Sequence, residues 1–202
     1  MNVIERAKHM ILSPAREWDI IASEQPDTGK IITGYVLPLA GAAAVAAFIG
    51  YMLIGVSYFG VRYTGFNFGI SQAISILIGG IVGVFISAFV IDALAPTFSS
   101  EKNIGRSVQL VAYSYTAVWV GGLLAILPVL AWIGGLAGLV YGLYLLYTGL
   151  PKLKKTPAEK QVGYFVVSLV AIVVVYFVIG WIMLQVLPGM TPYRSTTINV
   201  RY

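Results

Sequence analysis

The sequence contains no cysteine, a single histidine, His9, and few charged residues, which make up 10% of the chain. The absence of cysteine excludes a disulfide framework and thiolate chemistry. A zinc site needs several histidine, cysteine or carboxylate ligands close together, and a catalytic carboxylate dyad needs two acidic groups. Asp92 is the one carboxylate inside a long apolar run, and no such run holds a histidine or lysine that could activate a serine. We therefore predict no metal site, no cofactor and no enzymatic activity.

Apolar residues, in contrast, make up 58% of the chain, against about 45–50% in soluble domains. A soluble fold of this size could not bury several long uncharged runs in one core, whereas a bilayer accepts them. The net charge of +5 does not indicate nucleic-acid binding, because the basic residues are spread over short segments and form no dense patch. The predicted fold class is an all-α integral membrane bundle.

Five apolar runs are long enough to cross a bilayer, which takes about 20 residues. The run between residues 107 and 150 is too long for one span, and Pro128 divides it into two. Pro38 is expected to kink the first span, and an aromatic loop at 57–69 is expected to lie flat at one interface. The predicted spans are 31–56, 70–94, 107–127, 131–148 and 163–187, between an N-terminal segment at 1–30 and a short tail at 188–202.

The N-terminal segment has the pattern of two short amphipathic helices. Apolar residues recur at helical spacing, and Ser13-Pro14 marks the start of the second helix. Trp18 and Ile21 fall on one face of that helix. Two interpretations remain open: the segment lies on the membrane surface as an interfacial helix, or it caps the cytoplasmic ends of the spans.

Lysine and arginine are distributed unequally between the two sides of the predicted bundle. Ten of the 13 basic residues fall on the side of the N-terminus, and three, Arg62, Arg194 and Arg201, fall on the other side. Cytoplasmic segments carry such an excess of basic residues. We therefore expect a multi-pass protein of the inner or plasma membrane, with its N-terminus in the cytoplasm and its C-terminus outside.

Asp92 is the first candidate for a functional residue, since a function is the default hypothesis for an ionisable group inside a span. One interpretation is a proton or cation site that faces Gln72, Gln109 or Tyr113. The other is a structural position near the interface, where Asp92 is solvated or pairs with Lys102 or Arg106.

Arg106, Gln109 and Tyr113 belong to a polar set early in the third span. Such a set either lines a crevice or joins helices by hydrogen bonds.

Glycines recur at four-residue spacing in two spans. Gly79 and Gly83 form one pair, and Gly134, Gly138 and Gly142 form a longer stripe. Small residues at this spacing let a neighbouring helix approach closely. We predict helix packing at these positions, with a homo-oligomer as a further possibility, and disruption of folding or assembly by a bulky residue at Gly138.

A basic segment follows the fourth span and carries Lys152, Lys154, Lys155 and Lys160. Lysines next to a membrane attract anionic lipid headgroups by about 1 kcal/mol each. The same charges also fix topology as the flank of a span. The two interpretations rest on the same physics, and the sequence does not separate them.

Six short motifs follow one another along the chain and together cover nearly its whole length. They are Ile11-Leu12-Ser13-Pro14, Tyr35-Val36-Leu37-Pro38-Leu39, Leu94-Ala95-Pro96-Thr97-Phe98, Tyr113-Ser114-Tyr115-Thr116, Ile126-Leu127-Pro128 and Tyr141-Gly142-Leu143-Tyr144-Leu145-Leu146-Tyr147-Thr148-Gly149-Leu150. In their order and spacing, these motifs resemble the Yip domain family of polytopic membrane proteins, the Ypt/Rab-interacting type, in its short prokaryotic form.

The resemblance implies five spans, a cytoplasmic N-terminus and a C-terminus outside. Eukaryotic relatives act in vesicle traffic and contact small GTPases. Those relatives carry a long cytoplasmic N-terminal region and an Asp-Leu-Tyr-Gly-Pro signature, and this sequence shows neither. We therefore do not expect small GTPase binding.

The function predicted first is a non-enzymatic scaffold or adaptor that works through helix–helix and lipid contacts. The alternative is a small transporter or channel, with Asp92 and the polar residues of the third span on its path. Membrane lipids are the expected partners in both cases.

Overall fold

The computed structural model describes residues 2–186, so the predicted tail at 188–202 lies outside the described residues. The chain begins with two short helices, α1 (Val3–Leu12) and α2 (Pro14–Ser23), which we call the cap. Pro14 stands in the first turn of α2, as the sequence predicts, because a proline there gives up an N–H that has no helical acceptor.

Five helical segments follow, each long and apolar enough to cross a membrane. They confirm the predicted all-α bundle of five spans. Span 1 comprises α3 (Thr28–Ile31), a π-helical turn (Ile32–Val36) and α4 (Leu37–Leu53); span 2 comprises α5 (Phe66–Leu94) and a 3-10 turn (Ala95–Phe98). Span 3 comprises α6 (Ile104–Ser114), α7 (Thr116–Gly122) and a 3-10 turn (Leu123–Ile126). Span 4 comprises a 3-10 turn (Pro128–Leu130) and α8 (Ala131–Lys154), and span 5 is α9 (Ala158–Val186).

The π-helical turn in span 1 stands directly before Pro38. The backbone N–H of Leu37 donates to the carbonyl of Ile32, five residues back instead of four. Proline has no N–H to donate and its ring crowds the preceding turn, so a widened turn relieves the clash. The widened turn carries Tyr35 into the protein interior, where the residue is buried.

The sequence predicted a loop between spans 1 and 2, but part of this aromatic segment forms regular structure. It contains an antiparallel hairpin of β1 (Val56–Tyr58) and β2 (Val61–Tyr63). Phe59 and Gly60 form the two-residue turn, and both have positive φ. This is the backbone conformation of a type I′ turn, whose twist matches that of the two strands. Span 2 then begins at Phe66, four residues earlier than predicted.

Span 3 lies at the centre of the bundle and span 5 at its periphery. The most apolar stretch of span 3 is 56% buried within the protein, whereas the corresponding stretch of span 5 is only 11% buried. Span 1 packs on spans 2 and 3, span 4 packs on span 3, and span 5 contacts spans 2 and 4. The cap packs mainly on span 4, through α2. All residues of span 3 from 107 to 114 are therefore buried.

Candidate functional site

The Asp92 carboxylate forms an ion pair with Lys154. The Lys154 ammonium stands 2.8 Å from Oδ1 of Asp92, which also accepts from the backbone N–H of Asn103 at 2.8 Å and from the Ser107 hydroxyl at 3.1 Å. Lys154 in turn donates to the Ser107 hydroxyl at 2.8 Å and to the Asn103 carbonyl at 3.3 Å. The pair thus joins spans 2, 3 and 4 at one end of the bundle.

This geometry corrects two sequence-based assignments. Lys154 is fully buried, at 0% exposure, so it does not belong to the lysines that face lipid headgroups. Asp92 pairs with neither Lys102 nor Arg106, the partners considered from sequence. The reason is that α8 continues through Pro151 to Lys154, and its last turn therefore points inward.

The end of α8 is fixed by backbone contacts. Lys155 takes the left-handed conformation, with φ of 49°, and ends the helix. The backbone N–H of Glu101 then donates to the Lys154 carbonyl at 2.7 Å. The sequence around Lys154 has the composition of a basic loop, but it forms the last turn of α8. The segment before span 3 holds this turn in place through Glu101.

The other lysines of the basic segment lie at the surface, and each has a protein partner. Lys152 stands 2.6 Å from Asp19 of the cap, Lys155 stands 2.8 Å from Glu101, and Lys160 donates to the Ser99 hydroxyl at 2.7 Å. The hydrogen bond from Lys155 holds the pKa of the Glu101 carboxyl below its ordinary value. These contacts tie the segment to the cap and to the connection between spans 2 and 3.

The cap is seated on the bundle by its apolar face. Met10, Trp18 and Ile21 are completely buried. The Trp18 ring packs on Gly149 of span 4, where an added Cβ would stand 2.8 Å from the ring. This arrangement favours the second of the two interpretations, a cap on the ends of the spans. Ile4 and Leu12 point outward and remain exposed.

A second charge cluster lies within the cap, on the side that faces Tyr113 of span 3. Arg6 forms ion pairs with Glu17, at 3.0 Å, and with Glu24, and its guanidinium lies over the Tyr113 ring at 5.4 Å from the centroid. Burial of Arg6 opposes its charged form, but the hydrogen bond to Glu24 and the nearby carboxylates outweigh burial and raise the pKa of Arg6. Sequence reasoning missed this cluster. Its signal was Glu17, four residues before Ile21 on the apolar face of an amphipathic helix.

Arg106, Gln109 and Tyr113 belong to this second cluster and not to the surroundings of Asp92. Arg106 donates to the Ile21 carbonyl at the end of α2, at 3.2 Å, and to Oε1 of Gln109, at 3.0 Å. Tyr113 packs edge-on against Tyr35, with ring centroids 4.7 Å apart. The four residues predicted as one polar site therefore fall into two separate groups.

A cavity of about 270 Å³ opens between the cap and the adjoining ends of spans 1 and 3. We call it the cap cavity. Its polar lining comes from the cap, the turn before span 1, and the central spans. Its charged and polar lining includes Arg6, Glu24, Asp27, Lys30, Gln109 and Tyr113.

The glycine stripe of span 4 packs against span 3 within the same chain. An added Cβ on Gly138 would stand 2.6 Å from the Ala117 carbonyl oxygen, and one on Gly142 would stand 3.1 Å from the Ser114 carbonyl oxygen. Gly134 meets the backbone of Gly121 more closely still. The stripe thus serves the contact between spans 3 and 4.

The glycine pair of span 2 divides. An added Cβ on Gly83 would meet the Tyr176 hydroxyl at 2.7 Å and the Tyr115 ring at 3.6 Å. Outside its own helix, no described atom lies within 4 Å of an added Cβ at Gly79, so no other helix of the same chain packs closely there and that prediction is wrong within one chain. The helix turns Gly83 inward, toward spans 3 and 5, and leaves Gly79 on the outer surface.

The polar contacts of Asp92 and Lys154 all lie within the fold. Oδ1 of Asp92 accepts from three donors, and Lys154 donates to three acceptors. Among residues 2–186, no three histidine or carboxylate side chains stand close enough to hold a metal ion. The pair therefore links spans 2, 3 and 4 at this end of the bundle.

The cap and the five spans together match a known protein family. A family model, described as the Yip1 domain, matches residues 8–182. The chain belongs to the Yip1 domain family. The match begins inside α1 and ends near the end of α9, so it takes in the cap and all five spans. No curated protein and no solved structure matches the chain.

Membership in the Yip1 domain family confirms the resemblance carried by the short motifs. Several of those motifs occupy structural positions that explain their residue types. Tyr35 lies in the π-helical turn of span 1, Pro38 follows that turn, and Tyr113 contacts both Tyr35 and Arg6. Tyr141 donates to the Ile11 carbonyl at 2.6 Å and so links the cap to span 4. Tyr113 and Tyr141 therefore lie where the cap contacts the spans.

Proposed function

We propose that this protein is a non-enzymatic membrane scaffold or adaptor. The observation that carries the proposal is the way the polar residues near the cap are used. Asp92 with Lys154 joins spans 2 and 4, and Arg6 with Glu17 and Glu24 joins the two helices of the cap. Arg106 and Tyr141 donate to the carbonyls of Ile21 and Ile11, so the cap and the spans form one rigid body. A group that donates and accepts within the fold is not free to act on a substrate, and a rigid body of this kind is suited to holding partners.

The outer faces of spans 4 and 5 support the same proposal. Trp132, Leu136 and Val140 of span 4 and Val173 and Phe177 of span 5 are large apolar side chains with high exposure. A bilayer covers such faces without cost, and another membrane helix can pack on them as well. The partners we propose are membrane lipids and membrane helices, which include a second copy of this chain. Neither nucleic acid nor a small GTPase is proposed.

Photo-crosslinking in the native membrane tests the scaffold proposal. A photoreactive residue at Ile78, beside the open surface at Gly79, or at Val173 of span 5 is expected to yield discrete protein adducts, because a scaffold holds partners at fixed positions. The fully buried Leu145 serves as the control and should yield no intermolecular adduct. Adducts with lipid alone, at both exposed positions, would contradict the proposal.

The transporter alternative is not carried forward. It depended on Asp92 as a proton or cation site on a polar path. Because Asp92 is held by Lys154, Ser107 and Asn103, the feature that motivated transport has a structural explanation.

We further propose that the N-terminus is cytoplasmic, in the inner or plasma membrane. The support is the excess of basic residues at the end of the bundle that carries the cap, while the hairpin with Arg62 lies at the other end. The C-terminus is then proposed to lie outside.

Cysteine labelling tests this orientation without background, because the chain has no cysteine of its own. Phe59→Cys at the hairpin tip is expected to react with a membrane-impermeant maleimide on intact cells. Ser23→Cys in the cap is expected to react only after the membrane is permeabilised. The reverse pattern would show that the orientation is wrong.

A further inference from the structure

The cap cavity contains two hydrogen-bond donors that the described part of the chain leaves unused. Gln109 is 1% exposed and Tyr113 is 7% exposed, and both line the cavity. The Gln109 carbonyl oxygen accepts from Arg106, which can only donate, so its amide nitrogen is the free end. Neither that nitrogen nor the Tyr113 hydroxyl has a hydrogen bond to another described residue. Both groups open into the cavity, so a ligand there that carries hydrogen-bond acceptors can accept from both.

The charges around the cavity select the kind of ligand. Two cations, Arg6 and Lys30, face two carboxylates, Glu24 and Asp27, so the charged lining is balanced. Arg6 pairs with Glu17 and Glu24, and the Lys30 ammonium stands 3.5 Å from Oδ2 of Asp27. An anionic ligand would therefore meet no excess of positive charge. A ligand that carries one negative and one positive group matches the lining.

The position of the cavity points to a lipid as the source of that ligand. The cavity lies where span 1 begins, at the level where lipid headgroups meet the chain. Gly34 of span 1 is exposed and borders the cavity, and outside its own helix no described atom lies within 4 Å of an added Cβ there. The volume, about 270 Å³, lies just below the range of about 300–1,000 Å³ for drug-sized ligands. It suits a headgroup whose acyl chains leave past Gly34.

We propose that the cap cavity binds the headgroup of phosphatidylethanolamine. The phosphodiester oxygens accept from the Gln109 amide and the Tyr113 hydroxyl, and Lys30 at the rim adds a positive charge. The primary ammonium donates to Oε2 of Glu24, since Oε1 already accepts from Arg6. This site is separate from the surface lysines of the basic segment, and it does not depend on the scaffold proposal.

Lipid binding by the delipidated full-length protein in detergent tests the proposal. Native mass spectrometry with added phosphatidylethanolamine, phosphatidylcholine or phosphatidylglycerol would give an apparent dissociation constant for each. Phosphatidylethanolamine is expected to bind about tenfold more tightly than either of the others, which corresponds to one charge-assisted hydrogen bond. Phosphatidylcholine has no N–H to donate, and phosphatidylglycerol lacks the positive group. Equal affinity for all three would overturn the proposal.

Matched variants locate the site. Tyr113→Phe removes one hydroxyl from the cavity and is expected to weaken phosphatidylethanolamine binding about tenfold. Tyr144→Phe makes the same change on the exposed face of span 4 and is expected to leave binding unchanged. Equal effects of the two variants would overturn the assignment to the cap cavity. Soluble glycerophosphoethanolamine is expected to bind far more weakly than the lipid, and equal binding would overturn the lipid as the source.

Discussion

Lys154→Ala is expected to destabilise the folded protein by about 3–5 kcal/mol, because it leaves the Asp92 carboxylate in a buried position without its counter-charge. The two hydrogen bonds from Asn103 and Ser107 would remain, but neither brings a positive charge. Reversible unfolding in mixed micelles, with increasing SDS, measures the loss as a shift of the transition to a lower SDS fraction.

Lys155→Ala is the matched control for that experiment. Lys155 is the next residue along the chain, but its side chain is 77% exposed and pairs with the partly exposed Glu101. An exposed pair contributes about 0–1 kcal/mol, so the control should unfold close to the wild type. The double variant Lys154→Met with Asp92→Asn is expected to recover part of the loss, because no charge is left buried. Equal losses from Lys154→Ala and Lys155→Ala would refute the structural role of the pair.

Gly138→Leu is expected to cost at least about 3 kcal/mol, at the upper end of overpacking effects. The first added carbon would already stand 2.6 Å from the Ala117 carbonyl oxygen and 2.8 Å from Val118 Cα. Both are backbone atoms of span 3, so relief requires spans 3 and 4 to separate. The same SDS unfolding measurement reports the loss, and a loss of the folded fraction on size exclusion would accompany it.

Gly135→Leu supplies the comparison for Gly138. Gly135 lies in the same helix, three residues earlier, and no described atom lies within 4 Å of an added Cβ there. A leucine at that position also gains about 0.8–1 kcal/mol of helix propensity over glycine. Gly135→Leu should therefore be as stable as the wild type or slightly more stable. If both variants unfold at the same SDS fraction, the proposal that Gly138 allows spans 3 and 4 to pack closely is contradicted.

The two charge clusters show where the sequence stops being informative. Asp92 stood out because a carboxylate in an apolar run is rare, but its partner lies 62 residues away on another span. The sequence offered Lys102 and Arg106 because they are near in the chain. Lys154 was hidden because Pro151 and its neighbouring lysines have the composition of a loop. The contact depends on α8 running three residues past a proline, which tertiary packing allows and local preference opposes.

The cap cavity was outside the reach of sequence for a similar reason. Gln109 and Tyr113 were recognised as polar residues in a span, but the charges opposite them come from the cap. Arg6, Glu24 and Lys30 are ordinary residues of an amphipathic segment when the chain is considered locally. Only the docking of Trp18 and Ile21 onto span 4 brings these charges over span 3.

The sequence by itself determined the number of spans, the division at Pro128 and the family, because a membrane span must be a long apolar run with its backbone bonded internally. Its short motifs identified the Yip1 domain family because each marks a fixed local geometry. The tertiary structure alone decided which charges pair, which glycines touch a neighbour and which face of the cap is buried. These depend on distances between helices, and periodicity along one chain carries no information about them.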